Sequence, residues 1–171
     1  MTTARNSTAP KALSCTGSDP VTSNLREFLT FTIDQQTFGL PLEVVDDVLD
    51  MRPLTPVPLA PPEVAGSLNL RGRIITAVDV RRRLGLPAMS PGKPHMSIVT
   101  ESDGELFNLI VDAVGEVIAA SDDRFEENPV TLNEHWRTFS AGIYRLESKL
   151  LVVLKVEPLL NIVDGAHAGT A

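Results

Sequence analysis

About ten short runs of β-forming residues recur along this chain at spacings of roughly 8 to 12 residues, each bounded by Gly, Pro, Asn, Asp or Ser. That punctuation favours a sandwich or barrel over alternating βαβ units, which need longer stretches of helical period. The first run, Phe28–Ile33, puts Leu29, Phe31 and Ile33 on one face and Phe28, Thr30 and Thr32 on the other. Asp34-Gln35-Gln36 turns the chain and Thr37–Leu40 returns. Leu68–Leu70 and Ile74–Val80 flank Arg71-Gly72-Arg73, and Met96–Glu101 and Leu106–Val111 flank the hairpin signal Asp103-Gly104. Val114, Val117 and Ile118 extend the pattern past Gly115, where a bulge is expected. Phe139–Leu146 and Lys149–Val156 form a last hairpin about Glu147-Ser148.

Helices are few. Pro41 suits the first turn of a helix, and Leu42, Val45, Val48 and Leu49 make one apolar stripe, so a short helix is expected there, ending before Pro53. Pro53, Pro56, Pro58, Pro61 and Pro62 then exclude helix and restrict any strand to an edge. Arg81–Leu86 reads as one helical turn, Ser121–Glu134 as a polar loop with a helical turn, and Pro158–Ile162 as a short helix. No repeat stands out at solenoid periods.

Residues 1–24 are rich in Ser and Thr and poor in large apolar groups, so a disordered tail is expected. The fold is expected to divide into a first barrel over 25–86, a linker over 87–95 marked by Pro87, Pro91, Gly92 and Pro94, and a second barrel over 96–156. A C-terminal helix and short tail occupy 157–171.

Chemistry is sparse. A net charge of -7 argues against nucleic acid and against adhesion to an anionic membrane. The longest uninterrupted apolar run, Leu150–Leu154, is far short of a membrane span. The lone Cys15 cannot form an internal disulfide, which suits a reducing cytoplasm. His95, His135 and His167 lack the spacing of a metal site, and neither a nucleophile elbow nor a phosphate-binding loop occurs. No metal, cofactor or catalytic residue is therefore expected. The carboxylate pairs Asp46-Asp47, Asp122-Asp123 and Glu126-Glu127 read as solvated surface. Arg71, Arg73, Arg81, Arg82 and Arg83 form a basic cluster, read either as a solvated strand end or as a surface for an acidic protein partner.

Asn69-Leu70-Arg71-Gly72, followed by Ile74–Arg81, resembles the CheW family of bacterial chemotaxis coupling proteins. Supporting segments stand in the family's order: Phe28–Ile33, Phe38–Val48, Leu109–Val117 and Leu151–Leu160. The resemblance covers about residues 26–162. It implies an all-β fold of two five-stranded SH3-like barrels side by side, with short helices and a C-terminal helix returning to the first barrel. It also implies a non-catalytic adaptor joining the regulatory domain of a CheA-type histidine kinase to the cytoplasmic tip of methyl-accepting chemoreceptors. Such a protein is cytoplasmic, without membrane insertion of its own, and reaches membrane arrays through its partners. Variants that control pili or development remain open at this point, as does, in another class, a small ligand-binding β-barrel.

By that resemblance the receptor contacts fall on Leu42, Val45, Asp47 and Arg71 of the first barrel and Val114 and Val117 of the second. The competing reading for the four apolar residues is ordinary core, and for Arg71 it is holding Asp47. Kinase contacts are expected on the Pro53–Gly66 segment, at Leu54, Val57, Leu59 and Gly66. Asp79 is expected to support local structure. Asp47 stands where many relatives carry glutamate, and Leu49 where arginine is frequent.

Overall fold

A computed structural model describes residues 24–162. The expected tail over 1–24 and the end of the expected C-terminal segment lie almost wholly outside the described residues. Among the described residues eleven strands fall in two sheets. They are β1 (Leu25–Ile33), β2 (Gln36–Pro41), β3 (Val45–Asp50), β4 (Val64–Leu70), β5 (Arg73–Asp79), β6 (Met96–Ser102), β7 (Glu105–Val111), β8 (Ala113–Ser121), β9 (Phe125–Glu126), β10 (Ser140–Arg145) and β11 (Leu150–Leu154). Three short helices accompany them: α1 (Val80–Arg83), α2 (Glu134–Phe139) and α3 (Val156–Leu160).

The five-stranded sheet runs β3-β6-β7-β5-β4. It closes because the chain leaving β3 bridges back to β4, with reciprocal Thr55–Ser67 backbone hydrogen bonds of 2.8 Å. The other sheet runs β8-β1-β2-β11-β10-β9. Only a 3-10 turn at Asp122–Arg124 separates β8 from β9, so one bent strand stands at both ends of that order and closes the second ring. Each ring is thus a five-stranded SH3-like barrel with its open edges joined.

The barrels do not follow the expected boundary. All strands of one lie between Val45 and Val111, and we call it the inserted barrel. The other is built from β1–β2 and β8–β11, and we call it the enclosing barrel. The 87–95 linker runs from α1 to β6 inside the inserted barrel instead of separating two domains.

Leu25–Arg52 matches Pro94–Ser121 without a gap, and Ala65–Leu86 matches Ala141–Ile162, keeping Phe38/Phe107, Leu40/Leu109, Val45/Val114, Ala65-Gly66/Ala141-Gly142, Val80/Val156 and Leu84/Leu160. Strand registers agree with this match. The parallel pairing of Val152 with Phe38 corresponds to that of Thr76 with Phe107, and Phe31 opposite Val114 corresponds to Thr100 opposite Val45. The 87–95 linker therefore separates two repeats, and each repeat gives its first hairpin to the other's barrel. Pro and Gly mark where the chain breaks, but which strand a hairpin's edge joins is a long-range choice.

That exchange explains the core. The largest buried cluster joins Leu29, Phe31 and Phe38 of the enclosing barrel to Val78, Ile98 and Leu109 of the inserted one, with Leu159 and Leu160 of α3. Each barrel keeps a smaller core of its own. Leu49, Leu68, Ile75, Val99 and Ile110 fill the inserted barrel, and Phe28, Tyr144, Leu151 and Val153 the enclosing one. Adjacent residues such as Ile98 and Val99 are both fully buried, one in each cluster, as in strands covered on both faces.

Two elements differ from expectation. The helix over Leu42–Leu49 is a 3-10 turn at Leu42–Val44 followed by β3. The β-branched Val44, Val45 and Val48 favour extended backbone, and pairing with β6 sends Val48 and Leu49 into different cores, which one helical stripe cannot do. The loop over Ser121–Glu134 keeps its helical turn, at Asp122–Arg124, but also holds β9, and α2 starts at its last residue, so the following strand starts at Ser140 rather than Phe139. Asn133 starts α2 by accepting from the His135 amide at 3.0 Å. The expected bulge beside Gly115 is present: Gly115 and Glu116 face Thr30 alone, and the Thr30 hydroxyl donates to the Glu116 carbonyl at 2.7 Å.

Candidate docking seam between the barrels

Arg71 and Gly72 sit at the tip of the β4–β5 hairpin with φ of 51° and 84°. Two consecutive positive φ values make the tight turn whose twist matches the flanking strands. The Asn69 side chain accepts from the Gly72 amide at 2.9 Å and holds it. This turn aims the Arg71 guanidinium at β3, where it donates to Asp47 Oδ2 at 3.0 Å. The other carboxylate oxygen of Asp47 accepts from the Val48 amide at 2.8 Å. Side-chain exposure is 75% for Arg71 and 30% for Asp47, so the pair contributes at most about 1 kcal/mol to folding. Its arrangement leaves most of the guanidinium available to a partner.

Leu42, Val45 and Val114 are half-buried and pack on the core shared by both barrels. Val45 on β3 and Val114 on β8 are repeat equivalents and present one apolar position from each barrel. Val117 on β8 is 48% exposed, the most open of the four. Thr100 fixes the crossover beneath them by donating to the Val44 carbonyl at 2.6 Å, and Met96 lies with its sulfur 3.4 Å from the Val114 amide. Sequence reasoning missed both supporting residues, because a Thr and a Met inside strands carry no local signal of a cross-barrel contact.

The Pro53–Gly66 segment divides into two kinds of residue. Leu54 packs on the core of the inserted barrel. Gly66 is buried at φ 152°, and a Cβ there would meet the Thr55 carbonyl oxygen at 2.7 Å, so this glycine makes barrel closure possible. Val57 is 42% exposed, and Leu59 is fully exposed at φ 60°, a backbone region that a leucine rarely occupies. Met51 and Ile74 are further exposed apolar side chains of the inserted barrel that sequence reasoning did not single out.

The arginine cluster divides, and for Arg81, Arg82 and Arg83 internal fastening replaces both sequence readings. Arg81 is nearly buried and binds Asp112, with Asp34 at 3.5 Å. It joins the start of α1 to the β7–β8 crossover and to the β1–β2 turn. The hydrogen bond with Asp112 raises its pKa above the ordinary arginine value. Asp79 caps α1 by accepting from the Arg82 amide and lies 3.7 Å from the Arg82 side chain, the local support expected of it. Arg83 donates to the Pro158 carbonyl at 2.8 Å and stacks over Phe139, tying α1 to α3 and to the end of α2. Arg71 and Arg73 at the hairpin tip remain exposed.

Among the described residues no group of three or more His, Cys, Asp or Glu side chains is arranged to hold a metal ion. No described helix is long and apolar enough to cross a membrane. Two interlocked SH3-like barrels, with apolar residues of both packed on one shared core and an exposed ion pair between β3 and the β4–β5 turn, define a double-barrel scaffold. The model of the CheW-like domain matches residues 27–164. The chemotaxis protein CheW of Rhizobium meliloti (strain 1021) is 30% identical over 137 residues, covering 80% of this chain and 88% of that protein. A probable chemotaxis protein CheW of Rhizobium etli is 27% identical, covering 84% and 92%. The crystal structure of the scaffolding protein TtCheW from Thermoanaerobacter tengcongensis matches with a TM-score of 0.70 at 29% identity, covering 77% of this chain and 89% of that one. The chain belongs to the CheW-like family of chemotaxis scaffold proteins.

Proposed function

We propose that this protein is a non-catalytic adaptor that couples methyl-accepting chemoreceptors to the regulatory domain of a CheA-type histidine kinase. In this reading it is cytoplasmic and joins membrane receptor arrays only through those partners. The exposed Asp47–Arg71 pair, two residues along β3 from Val45, carries the proposal. An amphipathic receptor helix lays its apolar face on Leu42, Val45, Val114 and Val117, while Asp47 and Arg71 at the rim set its register. The kinase domain meets the inserted barrel at Val57 and Leu59. Leu54 and Gly66 act there by shaping the loop that presents them.

Calorimetric titration of the intact chain with the purified kinase regulatory domain, and separately with a receptor signalling tip, tests this at low salt. Saturable binding of both at tens of micromolar or below, on the order of -6 kcal/mol or stronger, is expected. Absence of binding to both overturns the adaptor reading.

A further inference from the structure

The enclosing barrel carries an open groove that meets the seam only at Leu42. It lies between the start of β1, the Pro41–Val44 crossover and the start of α3, and encloses about 1170 Å³. Its floor is apolar: Phe28, Tyr144, Val153 and Leu154 are all buried. Tyr144 stands between two aromatic rings, with centroids 5.0 Å from Phe28 and 5.3 Å from Phe125. The volume suits several residues of a peptide better than one side chain.

The internal repeat shows what the groove lacks. In the inserted barrel the equivalent place holds the Arg81–Asp112 pair, and Arg81 also donates to the Pro87 carbonyl at 2.9 Å, in the linker that continues from α1 to β6. In the enclosing barrel Glu43 takes the place of Asp112 and Glu157 that of Arg81. The acceptor is kept and the cation is replaced by a second acid. Among the described residues neither Glu43 nor Glu157 has a salt-bridge partner, and Glu27 on the same rim has none. Of the two cations at the groove, Arg26 is paired with Asp122 at 3.0 Å, which leaves Lys155 against three carboxylates.

We infer that this groove docks an arginine-bearing segment of a protein partner, the arginine filling between Glu43 and Glu157 the role that Arg81 fills beside Asp112. Arginine suits it better than lysine, because a planar guanidinium binds two carboxylates at once, is weakly hydrated and stacks on aromatic faces. Apolar residues flanking that arginine rest on Phe28 and Val153. The site lies apart from the Pro53–Gly66 loop and shares only Leu42 with the seam, and it does not depend on the adaptor reading.

The test is amide chemical-shift titration of the full chain with the capped tetrapeptide Ala-Leu-Arg-Leu and its glutamine counterpart Ala-Leu-Gln-Leu. The arginine peptide is expected to shift residues 25–28, 41–44 and 153–157 with a Kd on the order of 1 mM, and the glutamine peptide to bind about tenfold more weakly. The double variant Glu43→Gln/Glu157→Gln, whose exposed side chains leave the melting temperature unchanged, is expected to lose the preference. Equal binding of the two peptides, shifts centred elsewhere, or no saturable shift at roughly five times that concentration overturns the inference. If removing residues 1–23, which carry Arg5 and Lys11, tightens the arginine peptide tenfold, the occupant is this chain's own N-terminal segment and the partner assignment falls.

Discussion

The inserted and enclosing barrels share strand order, register and helix position, and differ in what those positions carry. The inserted barrel places Arg81 against Asp112 where the enclosing one has Glu157 and Glu43. It presents the proline-rich loop with exposed Leu59 between its bridge at Thr55 and β4, where the enclosing barrel has α2, whose Trp136 stacks on Phe38 at 5.8 Å. The inserted barrel buries Asn108 hydrogen-bonded to Ser97 at 3.1 Å, where the enclosing barrel has Gly39 beneath Leu151 and has Phe28. Backbone pairing has been retained while loops and charges diverged. Two copies of one frame thereby present different surfaces, which is what the proposed adaptor role would need.

The equivalence of the frames is open to the hardest test at Gly66 and Gly142. Both follow a bulge, with φ of 152° and 154°, and a Cβ at Gly142 would run into the Phe125 ring and lie 2.9 Å from the Glu126 carbonyl. Gly66→Ala and Gly142→Ala are each expected to cost about 2–4 kcal/mol in urea unfolding. A neutral result at either would show that the matching positions are not mechanically equivalent. Next in size is the divergent ion pair. Arg81→Met leaves Asp112 without its cation and is expected to cost about 2 kcal/mol in the same assay, whereas Glu157→Gln at the equivalent place changes stability by less than about 0.5 kcal/mol. Similar losses at both would erase the difference between the barrels.

Alkaline pH separates the two barrels further. Burial, and then the hydrogen bond to Asp122, raise the pKa of Tyr144, whose counterpart in the inserted barrel is Leu68. The folded state holds the phenol proton more tightly than the unfolded chain does. Stability is therefore expected to fall as pH rises above about 10, and Tyr144→Phe to flatten that fall in melting curves. An unchanged slope would place the alkaline sensitivity elsewhere. Arg71→Glu has the smallest effect on folding, below about 1 kcal/mol, yet it is expected to weaken receptor-tip binding at least about tenfold in titration calorimetry. Equal losses of stability and affinity would make Arg71 structural.

Strands and turns were legible in the chain because their signals are local. The Arg71-Gly72 turn and the Asp103-Gly104 hairpin follow from glycine's backbone tolerance, and the Gly115 bulge from its lack of a side chain, since a Cβ there would lie 2.5 Å from the Thr30 hydroxyl. The short β3 strand was not, because the helical spacing of Leu42, Val45, Val48 and Leu49 arises from a strand whose two faces enter different cores. The repeat was hidden by a seven-residue difference between the segments 53–64 and 122–140 that join the matching blocks, and the hairpin exchange by pairings that span the whole chain. At the site, Asp47 and Arg71 were named and meet. Gly66 was named for a partner and serves barrel closure, because the sequence shows that glycine is needed without showing what crowds it.

The central claim is that the seam and the Pro53–Gly66 loop hold two partners at the same time. Sedimentation velocity of the intact chain mixed with the kinase regulatory domain and a receptor signalling tip tests it directly. A single boundary containing all three components is the expected result, and its loss in Arg71→Glu should release the tip while leaving the kinase complex. Displacement of one partner by the other would contradict the account.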